Sequence, residues 1–450
     1  MKHRRPTVKK KHGAKQPSLL TDPQPIPELN SSRIPEWAIL LCISLVSAAA
    51  FLPALSQGFI FDDRSNIVDN EQFRGLDPAR LQWMFTTFHM GHYQPLSWIT
   101  LAIDYLIWGM NPLGYHLTNI LLHTVNALLV YWLAKRLIAL TWSGDRSAGR
   151  SDELLPIGAA VAAVIFGIHP MRVESVLWVT ERRDVLSSFL TLATIHFYLH
   201  AHTGGVDRRT KWLIVAILIY ILSLMSRALG VTLPVILLLL DWFPLRRFAK
   251  NGSATKLYLE KIPFLVPAIA AAIVAPMAQV QAGATTTLTN HGIAPRIAQA
   301  CYGLVFYVYK GLLPTNLTPL YELAIPINIF SFKYIASAAI VVMSIVWLYR
   351  VRRSHPGLVV AALCYAITLS PVLGFVQSGR QEVADRYSYL STIGWAILIG
   401  AVVIRYLRKT PLRQALAGPP GAVSICLIGA LFILTWRQCL VWATPDGLWR

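Results

Sequence analysis

Phe61 is followed by Asp62 and Asp63, two adjacent carboxylates beyond the end of a long apolar stretch and inside a non-repetitive, aromatic-rich loop. A paired acid of this kind can work as a general base, because burial and a like charge next door move a carboxyl toward the working pH range. The same pair can also cap a helix or close an Asx turn. A second run, His169-Pro170-Met171-Arg172-Val173-Glu174, leads on to Trp178, Glu181, Arg182, Arg183 and Asp184. Pro170 must break any helix that reaches it, and the acids and bases behind it fit one or two helical turns lying along an interface. They are a candidate site or a salt-bridge network. Neither His169 nor Glu174 has a partner at His-Glu-x-x-His spacing, so a metal site is not indicated. Isolated cations follow: Arg227, Lys310, Arg380 and Arg386. Arginine suits phosphate through its planar fork of donors, although a single cation at a helix end can simply snorkel. Residues 76–111 add Trp83, Phe85, Phe88, His89, His92, Tyr93, Gln94, Pro95 and Trp98, a content that suits a helix and loop at the headgroup level of a bilayer.

The elements that must position these groups are membrane helices. The chain has 450 residues, of which 55% are hydrophobic and 14% charged, too apolar for a soluble domain of that size. Apolar runs long enough for a hydrocarbon core recur along it, and long uninterrupted runs point to an all-α polytopic bundle over a β-barrel. The net charge of +19 is spread over short loops and carries no interleaved aromatics in the basic tail, so nucleic acid is not the expected partner. Residues 1–33 read as a disordered basic cytoplasmic tail. Basic clusters then place about eleven spans by the ~20-residue criterion, at 34–55, 113–138, 154–168, 185–202, 212–226, 231–243, 262–280, 334–348, 358–376, 389–403 and 422–436. Residues 56–112 form a long first external loop, and 296–313 forms a re-entrant or partly inserted helix. The five cysteines fall mostly in apolar stretches with no metal spacing and read as buried small hydrophobes.

Five segments in order are more specific than any one alone. They are Phe61-Asp62-Asp63; Tyr93-Gln94-Pro95-Leu96-Ser97 with Asn111-Pro112-Leu113-Gly114-Tyr115-His116-Leu117-Thr118-Asn119; His169-Pro170 through Val173-Glu174-Ser175-Val176 to Trp178, with Arg182 and Asp184; Ser226-Arg227-Ala228-Leu229-Gly230-Val231-Thr232-Leu233-Pro234; and Ala384-Asp385-Arg386-Tyr387-Ser388-Tyr389-Leu390. The series resembles the membrane portion of the transmembrane and tetratricopeptide-repeat O-mannosyltransferases, particularly their bacterial relatives, among the C-type glycosyltransferases. The resemblance implies a GT-C-like transmembrane domain over 34–436 in a bacterial inner membrane. The enzyme would move mannose or another hexose from a polyprenyl-phosphate carrier, on the outer face, to a hydroxyl of a protein, lipid or glycan. Asp62 and Asp63 fall on the family's catalytic acidic motif, with Asp62 as the base. His169, Glu174, Arg182 and Asp184 fall on its second external motif and Arg386 on its late Asp-Arg-Tyr element, and these join Arg227 as donor-phosphate or substrate-binding residues. Arg227-Ala228 replaces a common Lys-Pro or Lys-Glu and keeps the charge; Gln94 stands where Arg is frequent and loses one. The donor is a substrate, so no cofactor is implied, and the partners are the lipid-linked sugar, membrane lipids and the acceptor. Repeats usually follow the final span, so 437–450 is an external segment where such a region would begin. A transporter or flippase is the competing class; it would place ionisable groups at mid-helix, whereas these collect at helix ends.

Loop charge alone predicts that a periplasmic-active reporter fused after Arg450 is active and one fused after Arg209 is silent. Activity of both, in a fusion series read in intact cells, makes the span count wrong by an odd number.

Overall fold

The structure, a computed structural model, describes residues 35–142, 148–204, 208–250, 254–284, 292–324, 326–375, 379–410 and 412–443. The expected basic tail and the end of the 437–450 segment lie outside these residues.

The described chain is helical apart from short turns and one two-stranded ladder. Its helices are α1 (Glu36–Ala49), α2 (Pro78–Thr86), α3 (Pro95–Trp108), α4 (Pro112–Trp142), α5 (Ala148–Gly167), α6 (Val173–Leu177), α7 (Arg182–Thr203), α8 (Arg209–Ser226) and α9 (Leu233–Trp242). They continue with α10 (Arg247–Lys250), α11 (Ala254–Gln281), α12 (Ile293–Leu312), α13 (Phe332–Val351), α14 (Pro356–Leu369), α15 (Ser388–Ser391), α16 (Ile393–Leu407), α17 (Leu412–Ala417) and α18 (Pro419–Val441). Strands β1 (Tyr321–Glu322) and β2 (Gln381–Val383) pair antiparallel.

Among the described residues five helices are long and apolar enough to cross a membrane alone: α4, α8, α11, α13 and α18. The count reaches seven if two bent pairs, Glu153–Gly167 with Pro170–Leu177 and Asp385–Ser391 with Ile393–Leu407, are each one span. This is an integral membrane protein with fewer full-length spans than the eleven read from the sequence. The other four segments fold differently for physical reasons. The first apolar run is a 14-residue helix stopped by a 3₁₀ turn, Leu52–Ser56, that contains Pro53. Ala228–Trp242 and Pro356–Val372 are shorter apolar helices. Helix α7 carries Arg182, Arg183 and Asp184 at its start and His196, His200 and His202 further on, and it buries most of its surface inside the protein. The segment expected to be re-entrant is α12, unbroken over 20 residues, with Arg296, Gln299 and Lys310 on its buried side.

Residues 56–112, expected as a long external loop, are not an open loop. They fold α2 and α3 onto α4 around Ile67, Phe73, Met84, Trp98, Leu101 and Tyr115. Trp98, expected at the headgroups, is fully buried. At the opposite end of α7, a second polar core ties four helices: Lys261 lies 2.7 Å from Asp241, Arg247 lies 2.9 Å from Asp241 and 2.8 Å from Glu260, and the Tyr198 hydroxyl donates to Asp241 at 2.7 Å.

The two bent pairs form the centre. Gly167 and Pro170 end the α5 direction, and His169 caps the next turn by accepting from Met171 N at 3.3 Å, giving a 57° bend. The second pair bends by 54° at Thr392. Helices α5 and α16 cross at a pair of glycines: a Cβ on Gly400 would lie 2.3 Å from the Gly158 carbonyl oxygen, and one on Gly158 would lie 2.6 Å from Gly400 O. Beyond the crossing, Arg172 of the first bend donates to Ser388 Oγ at 2.8 Å and to Thr392 Oγ1 of the second, with its guanidinium over the rings of Phe166 and Tyr389.

Gly400→Ala should therefore destabilise the folded protein by about 1–3 kcal/mol, as overpacking against backbone does. Gly429→Ala, with nothing within 4 Å of its Cβ, should be neutral. Thermal unfolding of the two variants in the same detergent checks this.

Candidate active site

Asp62 and Asp63 sit in one tight turn but do different things. Phe61 adopts φ +55°, a left-handed conformation costing a phenylalanine about 1–2 kcal/mol. Two contacts hold it there. The Phe61 ring meets Trp178 edge-on at 5.0 Å, and the fully buried Asp63 carboxylate accepts from Thr180 N and Thr180 Oγ1, both at 2.7 Å, and from Ile60 N at 3.2 Å. Burial pushes the Asp63 carboxyl up to about 7 against the pull of those hydrogen bonds. Asp63 thus anchors the turn to the 179–181 segment. The turn presents Asp62, half-buried, whose carboxylate makes no hydrogen bond or ion pair with the described residues. Burial raises its pKa, Arg183 and Arg386 lower it, and Glu181 raises it. A carboxylate with unengaged lone pairs and a raised pKa is suited to accept a proton.

The segment expected along a lipid interface is instead wholly buried from Ile168 to Leu186. There it forms 3₁₀ turns Pro170–Arg172 and Val179–Glu181 around α6. Glu181 and Asp184 are three residues apart and share a face at the start of α7, and Arg227, on the extended residue after α8, pairs with both. Arg183 curls back to Glu181 at 2.6 Å. Arg386 arrives from the other bent helix: its backbone N donates to Glu174 at 2.8 Å, its guanidinium pairs with Glu174, and its Nε lies 3.5 Å from Glu181. Burial works to raise the Glu181 carboxyl, but Arg183, Arg227 and Arg386 together hold it well below the usual range. Three guanidiniums meet three carboxylates here, and Asp62 stands beside them as a fourth.

Two expected ligands lie elsewhere. Arg182, the neighbour of Arg183, points about 100° away around the helix. It is fully buried against Asp104 of α3 at 2.6 Å, the Tyr115 carbonyl at 2.8 Å and Asn119. It braces the first loop against α4 and α7 and does not face the cluster. His169 is turned to Met171 N and, at 3.1 Å, to the Gly311 carbonyl, so it shapes the bend. The residues that do converge, Asp62, Glu174, Asp184, Arg227 and Arg386, are joined by Glu181 and Arg183, members of the same charged run to which the family resemblance assigns no role. His92 is also close: Gln279 donates to its Nδ1 at 3.4 Å, and burial with the nearby arginines holds its pKa well below the usual value, leaving it neutral. Among the described residues no group of three or more His, Cys, Asp or Glu side chains could hold a metal ion.

A narrow chamber of about 10 Å³ lies beside the cluster, lined by Asp184, Ser187, Ser188, Arg386, Tyr387 and Tyr389. Leu229, Thr368 and Leu390 line both this chamber and a larger, apolar groove of about 100 Å³ between α4, α7, α9, α14 and α16. The arrangement sets a guanidinium-bearing chamber against an apolar groove, and it places a carboxylate with no partner among the described residues beside the cluster.

No family model matches the chain. It is similar to protein O-mannosyl-transferase F38B6.6 of Caenorhabditis elegans, 26% identical over 91% of this chain and 56% of that protein. It is also similar to protein O-mannosyl-transferase TMTC4 of Homo sapiens, 28% identical over 45% of this chain and 29% of that one. Protein O-mannosyl-transferase Tmtc3 of Drosophila melanogaster is 33% identical over 38% of this chain and 20% of its own length. The chain spans about half the length, or less, of these relatives. Among solved structures, ArnT from Cupriavidus metallidurans bound to undecaprenyl phosphate aligns over 92% of this chain and 75% of its own at 13% identity, with a TM-score of 0.38.

Arg182→Met should cost about 3–5 kcal/mol by leaving buried Asp104 without its counter-charge, with only the Thr118 hydroxyl still donating to it at 2.8 Å, and the double variant with Asp104→Leu should recover much of that loss. Folded yield and thermal unfolding in detergent measure both.

Proposed function

We propose that this chain, a relative of the protein O-mannosyl-transferases across most of its length, moves a hexose from a polyprenyl-phosphate carrier to a hydroxyl acceptor. The names of its relatives favour mannose as the sugar and protein as the acceptor. The observation that carries the reading is the shared lining of the two cavities: a guanidinium-bearing chamber adjoins an apolar groove, which suits a phosphate head on an isoprenoid body. Relatives named as transferases and the collection of charges at helix ends both favour a transferase over a flippase.

In this scheme the acceptor hydroxyl lies between Asp62 and the sugar. Its proton passes to the Asp62 carboxylate as its oxygen bonds to the anomeric carbon. The bond from that carbon to the phosphate oxygen breaks on the opposite side, so the configuration inverts. The departing phosphate needs positive charge more than a proton, and Arg386 and Arg227 supply it from fixed positions in a dry site. Glu174 is a positioning residue: it holds the Arg386 backbone and guanidinium together. Asp63 positions Asp62 through the turn. The donor carries the activated bond, so no cofactor enters the scheme.

Asp62→Asn should lower transfer from a polyprenyl-phosphate sugar by about 10²–10⁴-fold while donor binding persists; near-normal transfer in a purified assay removes Asp62 as the base. The base must be ionised, so activity at saturating donor rises with pH through the raised Asp62 pKa and is level above it. Arg183 lowers that pKa, so Arg183→Gln should move the acid limb of the pH–rate profile to higher pH.

A further inference from the structure

An anion entering the chamber beside Arg386 meets a wall that already balances its own charge. Arg183, Arg227 and Arg386 are matched by Glu174, Glu181 and Asp184, all buried, and Asp62 adds another carboxylate close by. A phosphodiester brings one more negative charge into a space with little water, where like charges repel far more strongly than in bulk. Protonation of one of the acids would relieve that repulsion.

The three acids are not equivalent. Glu181 is paired with Arg183 and Arg227 and lies 3.5 Å from Arg386. Glu174 takes both the backbone N and the guanidinium of Arg386. Asp184 has one guanidinium, that of Arg227, which it shares with Glu181, and the Ser175 hydroxyl at 3.4 Å. Of the three it is also the one that lines the chamber. The groups around it are Ser175 of α6, Glu181 of the preceding turn, Arg183 of α7, Arg227 after α8, and Arg386, Tyr387 and Tyr389 of the second bend.

We infer that the donor phosphate binds together with one proton, which Asp184 takes from the aqueous side, and that protonated Asp184 releases the Arg227 guanidinium to the phosphate. This rests on the donor reading of the site. Asp184 is then a positioning residue, acting through Arg227, and donor affinity falls as pH rises.

The test uses the full chain in nanodiscs and farnesyl methyl phosphate, a diester with a head like the donor's and a single charge that does not titrate near neutral pH. Calorimetry in two buffers of equal pH and different ionisation enthalpy counts the protons exchanged on binding. The wild-type chain should take up roughly one proton per diester, and its Kd should rise toward tenfold per pH unit once free Asp184 is ionised. Asp184→Asn should bind with no proton exchange and no pH dependence, and Asp184→Glu should restore uptake with a displaced pH midpoint. Wild-type binding without proton exchange overturns the proposal, as does an Asp184→Asn chain that takes up the same proton. If Asp184→Asn does not fold, an unchanged midpoint in Asp184→Glu overturns it instead. A wild-type chain that does not bind the diester at all overturns the donor reading, and this proposal with it.

Discussion

The contact between the two bent helices is the constraint on which the rest of the structure depends. Gly158 and Gly400 let α5 and α16 approach until backbone meets backbone, and this fixes where their broken ends emerge. There Glu174 meets Arg386, and Arg172 meets Ser388 and Thr392. Without the bends, residues 170–184 and 385–391 would continue as helix away from each other, and neither the cluster nor the chamber would exist. Small residues at a close crossing and polar groups beyond it are the usual means of holding helices in a solvent that offers no hydrophobic drive between them.

Packing so many charges in one buried place is expensive, and each ion pair offsets only part of its own desolvation. The cluster survives because no member is left single: Glu181 has three guanidiniums around it, and Glu174 takes two donors from one residue. Asp62 is the exception. Its carboxylate is held by the backbone of its turn, through the anchored Asp63 and the Phe61 ring, and by no partner of its own. A strained φ, a dedicated anchor and an unengaged acid side by side fit the rule that strain persists where the surroundings over-determine it and function uses it.

The apolar groove relates the cluster to the membrane. Its walls come from α4, α7, α9, α14 and α16, and it stops near Leu240, next to the second polar core at Asp241, Arg247, Glu260 and Lys261. The bundle is therefore tied by polar networks at both ends of α7, with the apolar cavity between them.

The sequence by itself determined that the chain is helical and built for a bilayer, because runs of apolar residues leave no other way to satisfy the backbone. It also singled out the segments that the fold brings together, since Phe61-Asp62-Asp63, 169–184, Arg227 and Arg386 are costly residue types at helix ends and, Arg182 and His169 aside, they meet in or beside one buried cluster. Span number was less legible: hydropathy registers how apolar a stretch is, while Pro53 and the polar start of α7 decide whether it becomes a full-length helix. The tertiary structure alone decided the partners. Arg182 and Arg183 are identical in type and adjacent in sequence, yet the rotation of about 100° per helical residue sends one to Asp104 and the other to Glu181. Asp62 and Asp63 are equally indistinguishable as letters, and only the position of Thr180, 117 residues further along the chain, makes one an anchor and leaves the other unengaged.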